Sequence, residues 1–120
     1  MKILLVAIAG AAGALTRYGV ATAIGVRSFP WATLAINLTG SFILGMLLTA
    51  GIHRGWPENI VIPLSVGFLG AYTTFSTFEY ETFTLGRADR FVSAALYVGV
   101  SVSGGLLAAA SGYMLAKRIA

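Results

Sequence analysis

Nine consecutive positions, Gly70-Ala71-Tyr72-Thr73-Thr74-Phe75-Ser76-Thr77-Phe78, concentrate hydroxyl groups and aromatic rings in an otherwise apolar stretch bounded by Pro57 and Arg87. Polar, irregular backbone survives at membrane depth only where protein or a water-filled cavity shields it from lipid. Such a stretch is therefore a candidate site for an ion. Two local arrangements fit it. In the first, the helix breaks: Gly70 ends one half-helix with unpaired carbonyls, and Thr73 and Thr74 cap the next half. Unwound carbonyls and half-helix C-termini coordinate Na⁺, whereas half-helix N-termini attract anions. In the second, the helix continues and the hydroxyls bond back onto its own carbonyls. Phe75 and Phe78 are three apart and face nearly the same way. Phenyl edges carry partial positive charge, so the pair suits an anion passing along those edges; it equally suits plain apolar packing.

The remaining polar residues inside apolar segments line up. Thr33, Asn37 and Ser41 are four apart and share one helix face, as do Tyr97 and Ser101, with Gly105 continuing the second stripe. An unbonded amide in hydrocarbon costs several kcal/mol, so Asn37 serves either an interhelical hydrogen bond or a polar pathway. A proton-coupled transporter places Asp, Glu or His at mid-span, and a cation pore shows carboxylates or a carbonyl filter. This chain offers neutral donors instead, which suit a small, hard anion that needs hydrogen bonds in place of water. An enzyme is not expected. His53 is the only histidine, it lies in a loop beside Arg54, and no nucleophile–base pair is visible.

These residues are positioned by four apolar segments, roughly 3–26, 29–52, 60–85 and 91–115, each long enough for a membrane helix of about 20 residues. Apolar residues make up 58% and charged residues 10% of the 120 positions, against about 45–50% and about 25% in a soluble domain. The reading is one all-α integral membrane domain over 1–120, with Pro30 and Pro57 opening helices and Trp31, Trp56, Tyr18 and Tyr113 at the interfaces. Lys2 before an apolar run mimics a signal peptide, but the run is too long and continues into further spans. Cysteine is absent, which excludes disulfides and thiol chemistry. With four spans, Lys2, Arg54, Lys117 and Arg118 fall on one side, and Arg17, Arg27, Arg87 and Arg90 on or near the other. That balance gives no positive-inside preference. It fits a weak signal, or a chain that inserts both ways and pairs antiparallel; the second is preferred because four short helices scarcely enclose a polar path alone. Small pairs four apart, Ala9/Gly13, Ser41/Gly45, Ser101/Gly105 and Ala108/Gly112, allow close helix approach.

The motif Gly70-x-x-Thr73-Thr74-Phe75-Ser76-Thr77-Phe78, followed by Glu79 and Glu81, resembles the signature of the CrcB/Fluc fluoride channels. The resemblance covers essentially the whole chain. It extends to Gly13-Ala14-Leu15-Thr16-Arg17-Tyr18, to the run from Pro30 to Phe42, and to Gly67-Phe68-Leu69-Gly70. It implies an antiparallel dual-topology homodimer of four-helix subunits, with the third helix broken mid-membrane, in the inner (cytoplasmic) membrane. Two fluoride pathways and a central structural Na⁺ are implied with it. The carbonyls of Gly70 and Thr73 from both subunits would hold the Na⁺. Asn37 would be a pathway donor, and Phe75 and Phe78 the fluoride-facing rings. Thr74, Ser76 and Thr77, with Tyr97 and Ser101, would complete the polar track. Arg17 would sit near a vestibule, although snorkelling to headgroups accounts for it equally. Two residues depart from the family pattern, Ala32 and Ala71, both standing where glycine is usual.

Two other classes compete. A small dual-topology multidrug exchanger has similar length, but needs a carboxylate in the first helix, and Glu58, Asp89, Glu79 and Glu81 all lie elsewhere. A non-transporting accessory subunit differs only in passing no ions.

Overall fold

The computed structural model describes residues 1–119. Among them every regular element is helical: α1 Lys2–Ile24, α2 Trp31–Arg54, α3 Glu58–Ile62, a π-helical stretch Pro63–Leu69, α4 Gly70–Tyr72, α5 Phe75–Arg87 and α6 Phe91–Ile119. Four units are long and apolar enough to cross a membrane: α1, α2, the run Glu58–Arg87 and α6. The chain is a multi-pass membrane protein. Its helices end where the chain turns left-handed. Gly25 (φ 75°) closes α1 and Gly55 (φ 62°) closes α2, whereas Asp89 (φ 57°), a residue type that tolerates this region, follows α5.

The third span is irregular at two places, for two reasons. Pro63 has no N–H for the i−4 carbonyl and its ring crowds that turn, so the helix winds wider over Pro63–Leu69. Ser65 Oγ donates to the Val61 carbonyl at 2.7 Å inside this stretch. The second irregularity is at Thr73 (ψ 157°) and Thr74 (φ −148°, ψ 117°), which are extended. Gly70 does not end a half-helix; it is right-handed helical (φ −62°, ψ −33°). The two threonines also divide their work differently from expectation. Thr73 Oγ1 donates backward to the Leu69 carbonyl at 2.9 Å, and only Thr74 caps α5, accepting from the Thr77 N–H at 3.4 Å.

Small residues permit two backbone-to-backbone packings. A Cβ on Gly13 would lie 2.1 Å from the Phe68 carbonyl oxygen, and one on Gly67 would lie 2.8 Å from that of Val6, so α1 packs directly on the π-helical stretch. A Cβ on Gly45 would lie 2.3 Å from the Ala109 carbonyl oxygen, and one on Gly112 would lie 2.1 Å from that of Phe42, so α2 and α6 touch likewise. The small pairs read from the sequence thus serve contacts within one subunit. Two buried clusters result, Leu34–Phe78–Leu85–Tyr97 and Ile36–Leu69–Tyr72.

Contacts between element ends fix the up–down order. Lys2 Nζ meets Glu58 at 2.5 Å, and Arg54 donates to the Ile119 carbonyl at 3.0 Å, both at one end of the bundle. At the other end Arg90 donates to the Ser28 carbonyl, tying the α1–α2 loop to the start of α6.

Candidate functional site

The face of α2 that carries Thr33, Asn37 and Ser41 lies against the extended residues and α5. Asn37 binds the backbone of Thr74 twice: Nδ2 donates to its carbonyl at 2.9 Å, and Oδ1 accepts its N–H at 2.8 Å. One Asn37 N–H is left over, since a carboxamide has two. Tyr72 and Thr39 share a hydrogen bond at 2.9 Å, which ties the preceding turn to the same helix. Gly40 makes room: a Cβ there would lie 2.2 Å from Thr73 Cγ2.

This arrangement frees two carbonyls. In an α-helix the carbonyl of residue i accepts from the N–H of i+4. The Thr74 N–H, due to Gly70, goes to Asn37, and the Thr77 N–H, due to Thr73, goes to the Thr74 hydroxyl. Gly70 and Thr73 are the pair expected to hold Na⁺. Neutral carbonyl oxygens are suitable ligands for a hard monovalent cation, so the donor set fits; no cluster of His, Cys, Asp or Glu capable of holding a metal occurs among the described residues.

Two clefts flank the extended pair. The larger, about 710 Å³, is lined by Arg17, Thr33, Thr74, Thr77 and Glu81 among others. The smaller, about 280 Å³, is lined by Asn37, Ser41, Ser65, Thr73, Thr74 and Phe75 among others. Thr74 is common to both. Its hydroxyl donates to Thr77 Oγ1 at 2.9 Å, which leaves the Thr77 proton uncommitted. Ser76 is exposed and lines neither cleft.

Sequence reasoning passed over Glu81 as a site residue. Its two carboxylate oxygens each accept one hydroxyl, Oε1 from Thr33 and Oε2 from Tyr97, both at 2.7 Å. Tyr97 is fully buried with its hydroxyl committed to that carboxylate, so it is not a free donor in this state. The sequence signal for Glu81 is its place, with Glu79, directly after the Gly70–Phe78 motif; its partners lie on two other helices. Ser101, one turn along α6 from Tyr97, has a buried hydroxyl without a partner.

The two phenylalanines touch but differ in setting. Their ring centroids are 5.8 Å apart, yet Phe75 is 73% exposed on the subunit surface while Phe78 is 7% exposed. Phe78 meets Tyr97 edge-on, with centroids 5.1 Å apart and planes at 69°.

The family profile described as "CrcB-like protein, Camphor Resistance (CrcB)" matches residues 4–113. Relatives named "Fluoride-specific ion channel FluC" align almost end to end. That of Geobacter sulfurreducens is 40% identical, covering 98% of this chain and 98% of the relative. That of Acidobacterium capsulatum is 44% identical, covering 99% and 98%. A "Fluoride-specific ion channel FluC 2" of Geobacillus kaustophilus is 45% identical, covering 98% and 94%.

Proposed function

The chain belongs to the CrcB family, a family of channels and not enzymes, and from that premise we propose that it is a fluoride-selective channel of the cytoplasmic membrane. It lets fluoride leave the cell passively, as an antiparallel homodimer with two pathways. The observation that carries the pathway is the position of Thr74, an extended residue that lines both clefts. A polar route past it joins the Arg17 cleft to the Asn37–Phe75 cleft.

The chemistry along that route is hydrogen bonding without trapping. Arg17 at the larger cleft raises the local anion concentration. The uncommitted Thr77 hydroxyl and the spare Asn37 N–H then replace water one donor at a time. Phe75, exposed on its own subunit, presents its ring edge to the anion beside the partner subunit. Phe78 backs Phe75 and links it to Tyr97. Ser76 faces away from both clefts, so any part it has in the track belongs to the dimer. A bound Na⁺ would act structurally, satisfying the free carbonyls of Gly70 and Thr73 where two subunits meet.

Purified protein in liposomes is expected to release fluoride far faster than chloride. Equal release of both ions, or release of neither, overturns the proposal.

A further inference from the structure

Five aromatic rings run in unbroken contact from the α1–α2 loop region to the first residue of α5. Trp31 meets Phe29 with centroids 4.7 Å apart, and Phe29 meets Tyr97 at 5.5 Å and 74°. Tyr97 meets Phe78 at 5.1 Å and 69°, and Phe78 meets Phe75 at 5.8 Å. Tyr97 is therefore held between two edge-on rings, one from the loop and one from α5. Gripped on both sides, the ring is left with one direction for its hydroxyl, and that direction is Glu81 at 2.7 Å.

Phe29 is itself anchored. Its neighbour Ser28 accepts a hydrogen bond from Arg90, and the Phe29 carbonyl accepts the Trp31 N–H at 2.8 Å. Ser28 and Phe29 thus hold Arg90, immediately before α6, and Tyr97 within it, seven residues apart. A ring placed in this way does more than fill space. An aliphatic side chain of similar bulk packs against Tyr97 without fixing the angle of its plane.

We propose that Phe29 is a positioning residue for the anion pathway: its ring sets the plane of Tyr97, so that the phenol holds Glu81 beside Thr33. Glu81 lines the larger cleft, and a carboxylate left loose there would stand in the path of an anion. The loop between α1 and α2, whose Phe29 also lines this cleft, thereby controls the electrostatics of the cleft through Tyr97 and Glu81. The functional consequence rests on the channel reading; the positioning itself does not.

The test is a double-mutant cycle between Phe29→Leu and Tyr97→Phe, read as fluoride efflux from liposomes. Phe29→Leu keeps apolar bulk and is expected to lower efflux by at least about tenfold. In the Tyr97→Phe background the same change should have no further effect, because it acts through the phenol. Wild-type efflux in Phe29→Leu, or losses that multiply, overturns the proposal. Phe29→Met serves in the same cycle if the Leu variant does not fold. A second readout is independent of conduction. In protein carrying 3-fluorotyrosine, the ¹⁹F resonance of position 97, assigned by its loss in Tyr97→Phe, should shift on Glu81→Gln. In the Phe29→Leu background that shift should vanish. An equal shift in both backgrounds refutes the positioning role, whereas wild-type protein that passes no fluoride refutes the channel reading alone.

Discussion

Asn37 and Thr74 are joined as two paired strands are, with one donor and one acceptor on each side, at 2.9 and 2.8 Å. The side chain of one helix stands in for a neighbouring backbone at the point where another helix stops being one. This relationship reconciles two roles for an intramembrane amide. Asn37 makes an interhelical hydrogen-bond pair, keeps one N–H to spare and lines the smaller cleft.

Asn37→Leu should therefore fail twice. It strands the N–H and the carbonyl of Thr74, at about 1–3 kcal/mol each, and removes the spare donor. The expected result is a lower melting temperature and loss of fluoride efflux together. Asn37→Asp keeps the acceptor for the Thr74 N–H, and so should melt closer to wild type while still failing to conduct. Wild-type efflux from Asn37→Asp would remove Asn37 from the pathway.

The glycines around the extended residues predict opposite outcomes. A Cβ on Gly70 would come no closer than 3.7 Å to the Ser65 carbonyl oxygen, and Gly70 is helical, so Gly70→Ala should leave folding unharmed. A Cβ on Gly40 would sit 2.2 Å from Thr73 Cγ2. Thr73 cannot swing aside without giving up its bond to the Leu69 carbonyl. Gly40→Ala should cost about 1–3 kcal/mol and weaken any stabilisation by Na⁺, measured as the change in melting temperature between sodium and a large organic cation. Equal sodium responses in Gly40→Ala and wild type would separate Thr73 from ion binding.

Phe75→Ile and Phe78→Ile separate packing from conduction. Phe75 is mostly exposed on its subunit, so Phe75→Ile should cost the subunit little, whereas buried Phe78 loses its edge contact with Tyr97. If ring edges face the anion, Phe75→Ile should lower fluoride efflux by more than about tenfold, each decade being about 1.4 kcal/mol. A well-folded Phe75→Ile dimer that conducts normally overturns the ring-edge mechanism while leaving the channel assignment standing.

Much of this architecture is legible in the chain. Four apolar runs separated by Gly25, Gly55 and the Arg87–Arg90 turn read as four spans, because length and polarity alone decide membrane insertion. The stripe Thr33–Asn37–Ser41 follows from helical period and does face the irregular residues. The place of the irregularity does not follow. Glycine at position 70 is the local breaker signal, but the helix stops at Thr73 because Asn37, more than thirty residues earlier, outcompetes the helix for the Thr74 N–H. Glu81 is hidden for the same reason. Its significance lies in Thr33 and Tyr97, which approach it from α2 and α6, and no spacing along one helix reveals that.

The charge balance yields the last prediction. Lys2, Arg54 and Lys117 belong to the end marked by the Lys2–Glu58 pair and the Arg54–Ile119 bond, and Arg27, Arg87 and Arg90 to the end marked by Arg90–Ser28. Neither end holds enough excess to set orientation. Two or three added lysines at one end should force a single orientation, and a channel built from antiparallel copies should then be silent. Co-expression with a variant carrying the lysines at the other end should restore efflux, since the two populations insert oppositely and pair. The lysines belong on exposed positions at helix ends, such as Ile52 or Val92, so that neither cleft is touched. Full efflux from a singly biased variant, with its orientation verified by end-specific labelling, would rule out the antiparallel dimer.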